Sequence, residues 1–428
     1  MNALTQMSDA ELRRLHDRAW AEYNAFQARG LSLDMTRGKP GPEQLDLANG
    51  MLTLPGNRDW HTDAGEDARN YGGLQGLPEA RALFAALLGV RPEQVVIGDN
   101  SSLAMMHDAL AWAMLKGVPG SPHPWSRDDA PAFLCPVPGY DRHFAILSAL
   151  GIRAIPVPLV GNGPDMDAVE ELVRDPAVKG MWSIPRYSNP TGEIYADEAI
   201  RRLAAMQTGA FDFRLYWDDA YAVHHLTERR HGIANILDLC AEAGHPDRAF
   251  VFASTSKMTL AGAGLAVFAS SPANVSWYLE RATTRTIGPD KLNQLRHVRF
   301  LRDLSGIHRH MDAHRVILAP RFEAVHEALT VRLASLGIAR WTKPEGGYFV
   351  AVDGPDGTAR RVVALAKEAG LALTPAGSTW PGGHDPHDRT LRIAPTFPTL
   401  AEVRAASEGI ALCILLAATE RELDARAG

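Results

Sequence analysis

Seven lysines occur in the 428-residue chain, and one of them, Lys257, closes the run Ser254-Thr255-Ser256-Lys257 directly after the apolar stretch Phe250-Val251-Phe252-Ala253. Such a stretch reads as a buried strand, which puts Lys257 at a strand's carboxyl end. There its surroundings can lower the amine pKa enough to make it a nucleophile toward a carbonyl. Taken alone, a surface lysine in a loop is the simpler account. Asp218, after Leu215-Tyr216-Trp217, and Tyr221, three residues further on, add a carboxylate and a phenol at a second strand end. A buried carboxylate can hold the proton of an aromatic ring nitrogen, and a ring so protonated is a good electron sink. Asn189, in Asn189-Pro190-Thr191-Gly192, and Tyr221 can both donate to an oxygen on such a ring, although by themselves these segments are equally a turn and a helix cap. Asn100-Ser101-Ser102 opens a helical pattern through Leu103, Met106 and Leu110. Its N–H groups and hydroxyls suit a phosphate, or an ordinary serine cap.

The elements that must position these groups follow a βα rhythm from about residue 75. Short apolar runs at 95–97, 133–135, 154–157, 181–184, 215–217 and 250–253 alternate with helical patterns, which predicts an α/β domain with a mostly parallel sheet. In such sheets ligands sit at the carboxyl ends of the strands, where each polar cluster above falls. Before this region, Ser8 and Glu11 form a capping box for an amphipathic helix over 8–29, and 32–42 reads as an extended connector rich in glycine and proline. After residue 305 a long helix through about 335, strands near 348–352 and 391–393, a helix near 358–369 and a terminal helix predict a smaller α+β domain. The expected organisation is residues 1–60 packing with the small domain, 61–305 as the large domain, and 306–428 as the small one.

A net charge of −6, with no long basic run, disfavours nucleic acid and anionic membranes as partners. Cys135, Cys240 and Cys413 show no CxxC spacing, so neither disulfides nor a metal site is expected, and a reducing cytoplasm fits best. No apolar stretch approaches the length of a membrane span, and a soluble, unprocessed chain is expected.

Together and in this order, the motifs resemble fold type I pyridoxal-phosphate (PLP) enzymes of the class I/II aminotransferase superfamily, from Arg37-Gly38-Lys39-Pro40 to Leu391-Arg392-Ile393. The resemblance implies a large domain with a seven-stranded type of sheet, and pyridoxal 5'-phosphate held as a Schiff base on Lys257 of Ser254-x-x-Lys257. Asp218 would meet the ring nitrogen, Tyr221 and Asn189 its phenolic oxygen, and Tyr140 of Pro138-Gly139-Tyr140 would stack on the ring. Asn100, Ser101 and Ser102 would hold the phosphate, and Ser254 and Ser256 would also bind the cofactor. Tyr71, in a segment with Gly72, Gly76 and Arg81, would reach the cofactor of a second subunit in a homodimer with shared active sites. Arg392 would pair the substrate's α-carboxylate, with Asn189 also on the substrate side and Gly38 as the close-approach residue beside it.

One position departs from the family: eight residues after Lys257, where most relatives carry a phosphate-binding arginine, stands Leu265, within Ala261-Gly262-Ala263-Gly264-Leu265. That pattern, with Thr36-Arg37-Gly38-Lys39-Pro40 and Ile287-Gly288-Pro289-Asp290-Lys291, is similar to an atypical aspartate-aminotransferase subgroup labelled MocR-type. Transcription regulators under the same label carry a winged helix-turn-helix, for which the roughly 30 residues before Gly38 are too short. The expected activity is therefore transfer of an amino group between an amino acid and a 2-oxo acid, with a dicarboxylic substrate read by Arg37 or an arginine near Arg285. A PLP-dependent β-lyase or decarboxylase, or a non-catalytic ligand sensor on the same fold, are the alternatives.

Overall fold

Runs of β-branched and aromatic residues bounded by turns become one seven-stranded sheet in the computed structural model, which describes residues 3–427. In chain order the strands are β1 (Val95–Ile97), β2 (Ala132–Val137), β3 (Arg153–Pro158), β4 (Val178–Ser183), β5 (Arg214–Asp218), β6 (Ala249–Ser254) and β7 (Ala266–Ala269). Across the sheet they lie in the order β1-β7-β6-β5-β4-β2-β3. β7 is antiparallel to both its neighbours and the remaining pairs are parallel. The inner strands are buried along their whole length, which is why they read as unbroken apolar runs. Side chains alternate between two cores: Leu134, Leu215 and Val251 face one side, while Phe133, Tyr216, Phe250 and Phe252 face the other. The six strands expected from sequence all form; β7 was not foreseen, because its four residues follow a glycine-rich turn without the usual intervening helix.

Six helices bear on the site. They are α1 (Asp9–Gln27), α2 (Ser102–Lys116), α3 (Asp141–Ala149), α4 (Lys291–Leu301), α5 (Leu304–Leu333) and α6 (Leu400–Ala427). The Ser8–Glu11 capping box at the start of α1 is present, with Ser8 N–H donating to Glu11 Oε2 at 2.8 Å. The apolar stripe of α1, Leu12, Ala19, Tyr23 and Phe26, joins a third core with α6 and a small antiparallel sheet of β8 (Arg340–Trp341), β9 (Val350–Asp353) and β10 (Thr390–Ile393). α5 links the cores: Ile307 and Met311 pack under the large sheet, while Leu318, Phe322, Val325 and Leu329 pack in the third core. The connector at 32–42 is more structured than its glycines and prolines suggest. Leu33–Asp34 pairs in parallel with Leu371–Ala372, and Pro42–Asp46 forms one helical turn.

Parallel register brings the carboxyl ends of β4, β5 and β6 to one edge, with Ser183 opposite Trp217 and Asp218 opposite Phe252. Asn189, Tyr221 and Lys257 each follow one of these ends, and Asn100 and Tyr140 follow β1 and β2 at the same edge.

Candidate active site

A cavity of about 340 Å³ opens at this edge, and its wall includes Lys257, Asp218, Tyr221, Asn189, Tyr140 and Ser102 from the large sheet's side. Arg37, Gly38 and Arg392 contribute to it from the other side. Nine residues singled out from sequence thus meet in one place although they are spread from position 37 to position 392.

Asp218 is the last residue of β5 and is 4% exposed. His143, on the first turn of α3, donates from Nε2 to Asp218 Oδ2 at 3.1 Å, and its ring stacks on Trp182 at 4.1 Å between centroids. The second oxygen, Oδ1, is buried and has no hydrogen-bond partner among the described residues. Burying an acceptor without a donor costs about 1–3 kcal/mol, so such an atom calls for a donor that the chain itself does not supply. Asp219, its sequence neighbour, is instead committed to an ion pair with Arg186, which separates the roles of the two aspartates. Asn189, also buried, lines the same cavity, and its Oδ1 has no hydrogen-bond partner among the described residues.

Lys257 follows β6 and is half-buried, with Nζ 5.1 Å from the centre of the Tyr221 ring. Burial pulls its pKa below the ordinary lysine value, and the Asp218 charge acts in the opposite sense. The loop is anchored from behind: Tyr348 Oη donates to the Lys257 carbonyl at 3.2 Å and accepts from Gln44 Nε2 at 2.8 Å. Burial holds the Tyr221 phenol well above its usual pKa, so it remains a protonated donor. Tyr140 caps α3, and burial, followed by the charges of Asp218 and Asp141, raises its phenol to about 12.

Arg392 lies on β10 and is 9% exposed. Nη1 donates to Asp141 Oδ1 at 3.1 Å and Nη2 to Thr374 Oγ1 at 3.4 Å, while buried Nε has no partner among the described residues. The guanidinium rests 4.9 Å from the centre of the Phe349 ring. That ring occupies the space a side chain at Gly38 would need, since a Cβ there would lie 2.3 Å from Phe349 Cζ. Gly38 is therefore required for the Phe349–Arg392 stack to stand where it does.

The remaining residues expected to bind the cofactor divide. Ser102 lines the cavity; Asn100, Ser101, Ser254 and Ser256 are not part of its wall. Ser101 caps α2, accepting from Ala104 N–H at 3.2 Å, Ser256 Oγ donates to the Asn100 carbonyl at 3.3 Å, and Asn100 Nδ2 donates to the Gly262 carbonyl at 3.2 Å. Leu265 is in the core, its N–H donating to Thr255 Oγ1 at 2.8 Å, so its side chain does not face the site. Tyr71 is 76% exposed and outside the cavity wall. Arg285 is also outside it and is neutralised by Asp99 at 3.4 Å and Asp108 at 2.6 Å. The part expected of an arginine near Arg285 is therefore not supported within this chain.

Sequence reasoning missed His143, Asp141, Arg142, Phe349 and Thr374. The first three adjoin Tyr140 in the run Tyr140-Asp141-Arg142-His143, a dense polar cluster after a Pro-Gly turn at a strand end. That was a readable signal, whereas nothing local marked Phe349 or Thr374. No group of His, Cys, Asp and Glu side chains able to hold a metal exists among the described residues, and no described helix is long and apolar enough to cross a membrane.

Residues 7–426 match the family model described as aspartate amino-transferase. Among curated relatives, a protein of Mycolicibacterium smegmatis named as an aminotransferase is 54% identical over 411 residues, covering 95% of each chain. An aspartate aminotransferase of Corynebacterium glutamicum is 49% identical over 405 residues, covering 95% of this chain and 94% of that one. Among solved structures, an aspartate transaminase from Corynebacterium glutamicum superposes with a TM-score of 0.96 at 47% identity, covering 98% of this chain and 99% of the other.

Proposed function

We propose, from the premise that this chain belongs to the aspartate amino-transferase family and is an aminotransferase, that it carries pyridoxal 5'-phosphate on Lys257 and acts on a dicarboxylic amino acid. The observation that carries the cofactor assignment is the buried, unpartnered Asp218 Oδ1 in the same cavity as the Lys257 amine. A protonated ring nitrogen is the donor that oxygen lacks, and the donor set otherwise fits the group. In this reading Tyr140 would meet the ring face, Tyr221 and Asn189 its phenolic oxygen, and Ser102 the phosphate; all four line the one cavity. Asn100 and Ser101 would join Ser102 at the phosphate, Ser254 and Ser256 would also contact the cofactor, and Tyr71 would reach the phosphate from the second subunit of a homodimer.

When bound, the cofactor supplies an electron sink for the charge left as the substrate's α-proton departs. The chain's own residues do the rest. His143 fixes Asp218 through Oδ2, leaving Oδ1 to hold the ring proton. Burial lowers the pKa of Lys257 Nζ, which favours it as the base that moves the α-proton. Arg392 pairs the α-carboxylate and so orients the Cα–H bond toward Lys257.

The dicarboxylate reading rests on charge. With Lys257 left aside, the cavity is lined by Arg37, Lys39, Arg142 and Arg392 against only Asp141 and Asp218, a positive surplus suited to a substrate with two carboxylates. The relatives named aspartate aminotransferase agree with it. Arg37 is exposed at the mouth, without an ion-pair partner among the described residues. Placement in the MocR-type subgroup rests on the motifs at 36–40, 254–265 and 287–291, and a cytoplasmic setting accords with three free, buried cysteines. The test is to mix the purified protein with aspartate and 2-oxoglutarate. Glutamate should appear in amounts matching the aspartate consumed, whereas release of ammonia or carbon dioxide instead would favour lyase or decarboxylase chemistry.

A further inference from the structure

Two guanidinium groups at the cavity are without an ion-pair partner among the described residues: Arg37, on the connector, and Arg142, on the first turn of α3. We infer that Arg142 is the specificity-determining residue for the substrate's distal carboxylate, an assignment that rests on the aminotransferase reading and its dicarboxylic substrate.

Residues on either side of Arg142 are tied to the two anchors of the site: Asp141 to Arg392 at 3.1 Å and His143 to Asp218 at 3.1 Å. His143 is further clamped by its stack on Trp182. The backbone of position 142 is thereby fixed relative to both the group that takes the α-carboxylate and the group that takes the ring nitrogen. Arg142 lines the same cavity as both anchors, so its guanidinium reaches the space where a substrate held by them would lie; the fixed helical turn orders the base of the side chain, while its tip is exposed. The electrostatics agree with this placement, since the charges of Arg142 and Arg392 both act to lower the Tyr140 phenol pKa against its burial.

Arg37 is held less firmly. It lies between a two-residue strand and a single helical turn, in a segment containing Gly38, Pro40, Gly41 and Pro42. Both arginine side chains are exposed, so the difference lies in the backbone that carries them: a tied helical turn at Arg142, a connector at Arg37. Lys39, its neighbour, already rests 4.0 Å from the centre of the Phe397 ring. A planar fork on a fixed helical turn is the better match for a carboxylate that must be told from a methyl group.

The experiment uses the holoenzyme and two readouts: kcat/KM for aspartate and for alanine with a common 2-oxo acid, and calorimetric affinity for succinate, a dicarboxylate that cannot react. Arg142→Gln should lower the aspartate-to-alanine ratio by about 100-fold and weaken succinate comparably, because a site built to hydrogen-bond a group discriminates strongly. Arg142→Lys, which keeps the charge without the fork, should recover part of both. Arg37→Gln should move the ratio much less. Equal losses on aspartate and alanine in Arg142→Gln, unchanged succinate affinity, or a ratio collapse in Arg37→Gln alone would overturn the assignment. Should the wild type itself transaminate but show no preference for aspartate or glutamate over alanine, the dicarboxylate reading fails first.

Discussion

Asp218 has two oxygens in different circumstances: one is held by His143 and the other is buried without a partner among the described residues. That asymmetry gives the residue a measurable role. Asp218→Asn keeps the shape but loses the charge that holds a ring proton, so kcat should fall by at least about 100-fold. His143→Phe should keep the stack on Trp182 while freeing Asp218 to turn, and should cost less; a reversed order in steady-state kinetics would contradict these roles. The lysine, the aspartate and the tyrosine after it were legible in the sequence because each falls directly after an apolar run. The partner of Asp218 was not, because His143 is 75 residues away and only the folded sheet brings α3 beside β5. Leu265 was legible as a departure, and its burial shows why nothing local replaces it: the position belongs to the core.

At the scale of elements, α4 and α5 support the Lys257 loop through uncharged histidines. His297, on α4, takes Thr255 Oγ1 at 3.1 Å and Thr259 Oγ1 at 3.0 Å on Nε2, and its Nδ1 faces the Asn293 carbonyl at 2.8 Å. His314, on α5, contacts Gln44 Nε2 at 3.1 Å and His310 at 3.3 Å. Burial lowers both pKa values to about 4. Between the unfolded value near 6.5 and about 4, the unfolded chain binds protons that the folded one does not, so stability falls as pH falls through this window. Each histidine should contribute a slope of about 1.4 kcal/mol per pH unit there. Denaturant unfolding from pH 7 to pH 4 should show a shallower slope in His297→Gln; an unchanged slope would remove His297 from the account. The strands and the capped first helix could be read from periodicity, since burial on both faces or one stripe leaves a direct imprint on sequence. β7 could not, because it follows a glycine-rich turn with no helix before it, and neither could β8 or the pairing of Leu33–Asp34 with Leu371–Ala372, because two-residue strands are made by their distant partners.

The whole molecule joins its two ends in one core, with α1 and α6 packed around the small sheet, while α5 runs from that core into the one beneath the large sheet. The cavity lies where these bodies meet, so Gly38 and Arg392 reach it from one side and Lys257 and Asp218 from the other. Tyr71 stands apart from it and is exposed; in the proposed homodimer it would serve the second subunit's site. Mixed dimers of Lys257→Ala with an impaired Tyr71 variant should contain one intact site and exceed either parent in activity; verified mixed dimers with no gain would mean that Tyr71 serves its own chain. The central claim, an aminotransferase whose cofactor is carried by Lys257, is tested most directly by borohydride reduction and peptide mapping before and after aspartate is added without a 2-oxo acid. The account predicts a pyridoxyl label on Lys257 in the resting protein and its loss after aspartate, when the amino group has passed to the cofactor. A label on Lys39 or Lys291, or one that persists on Lys257 under saturating aspartate, would contradict it.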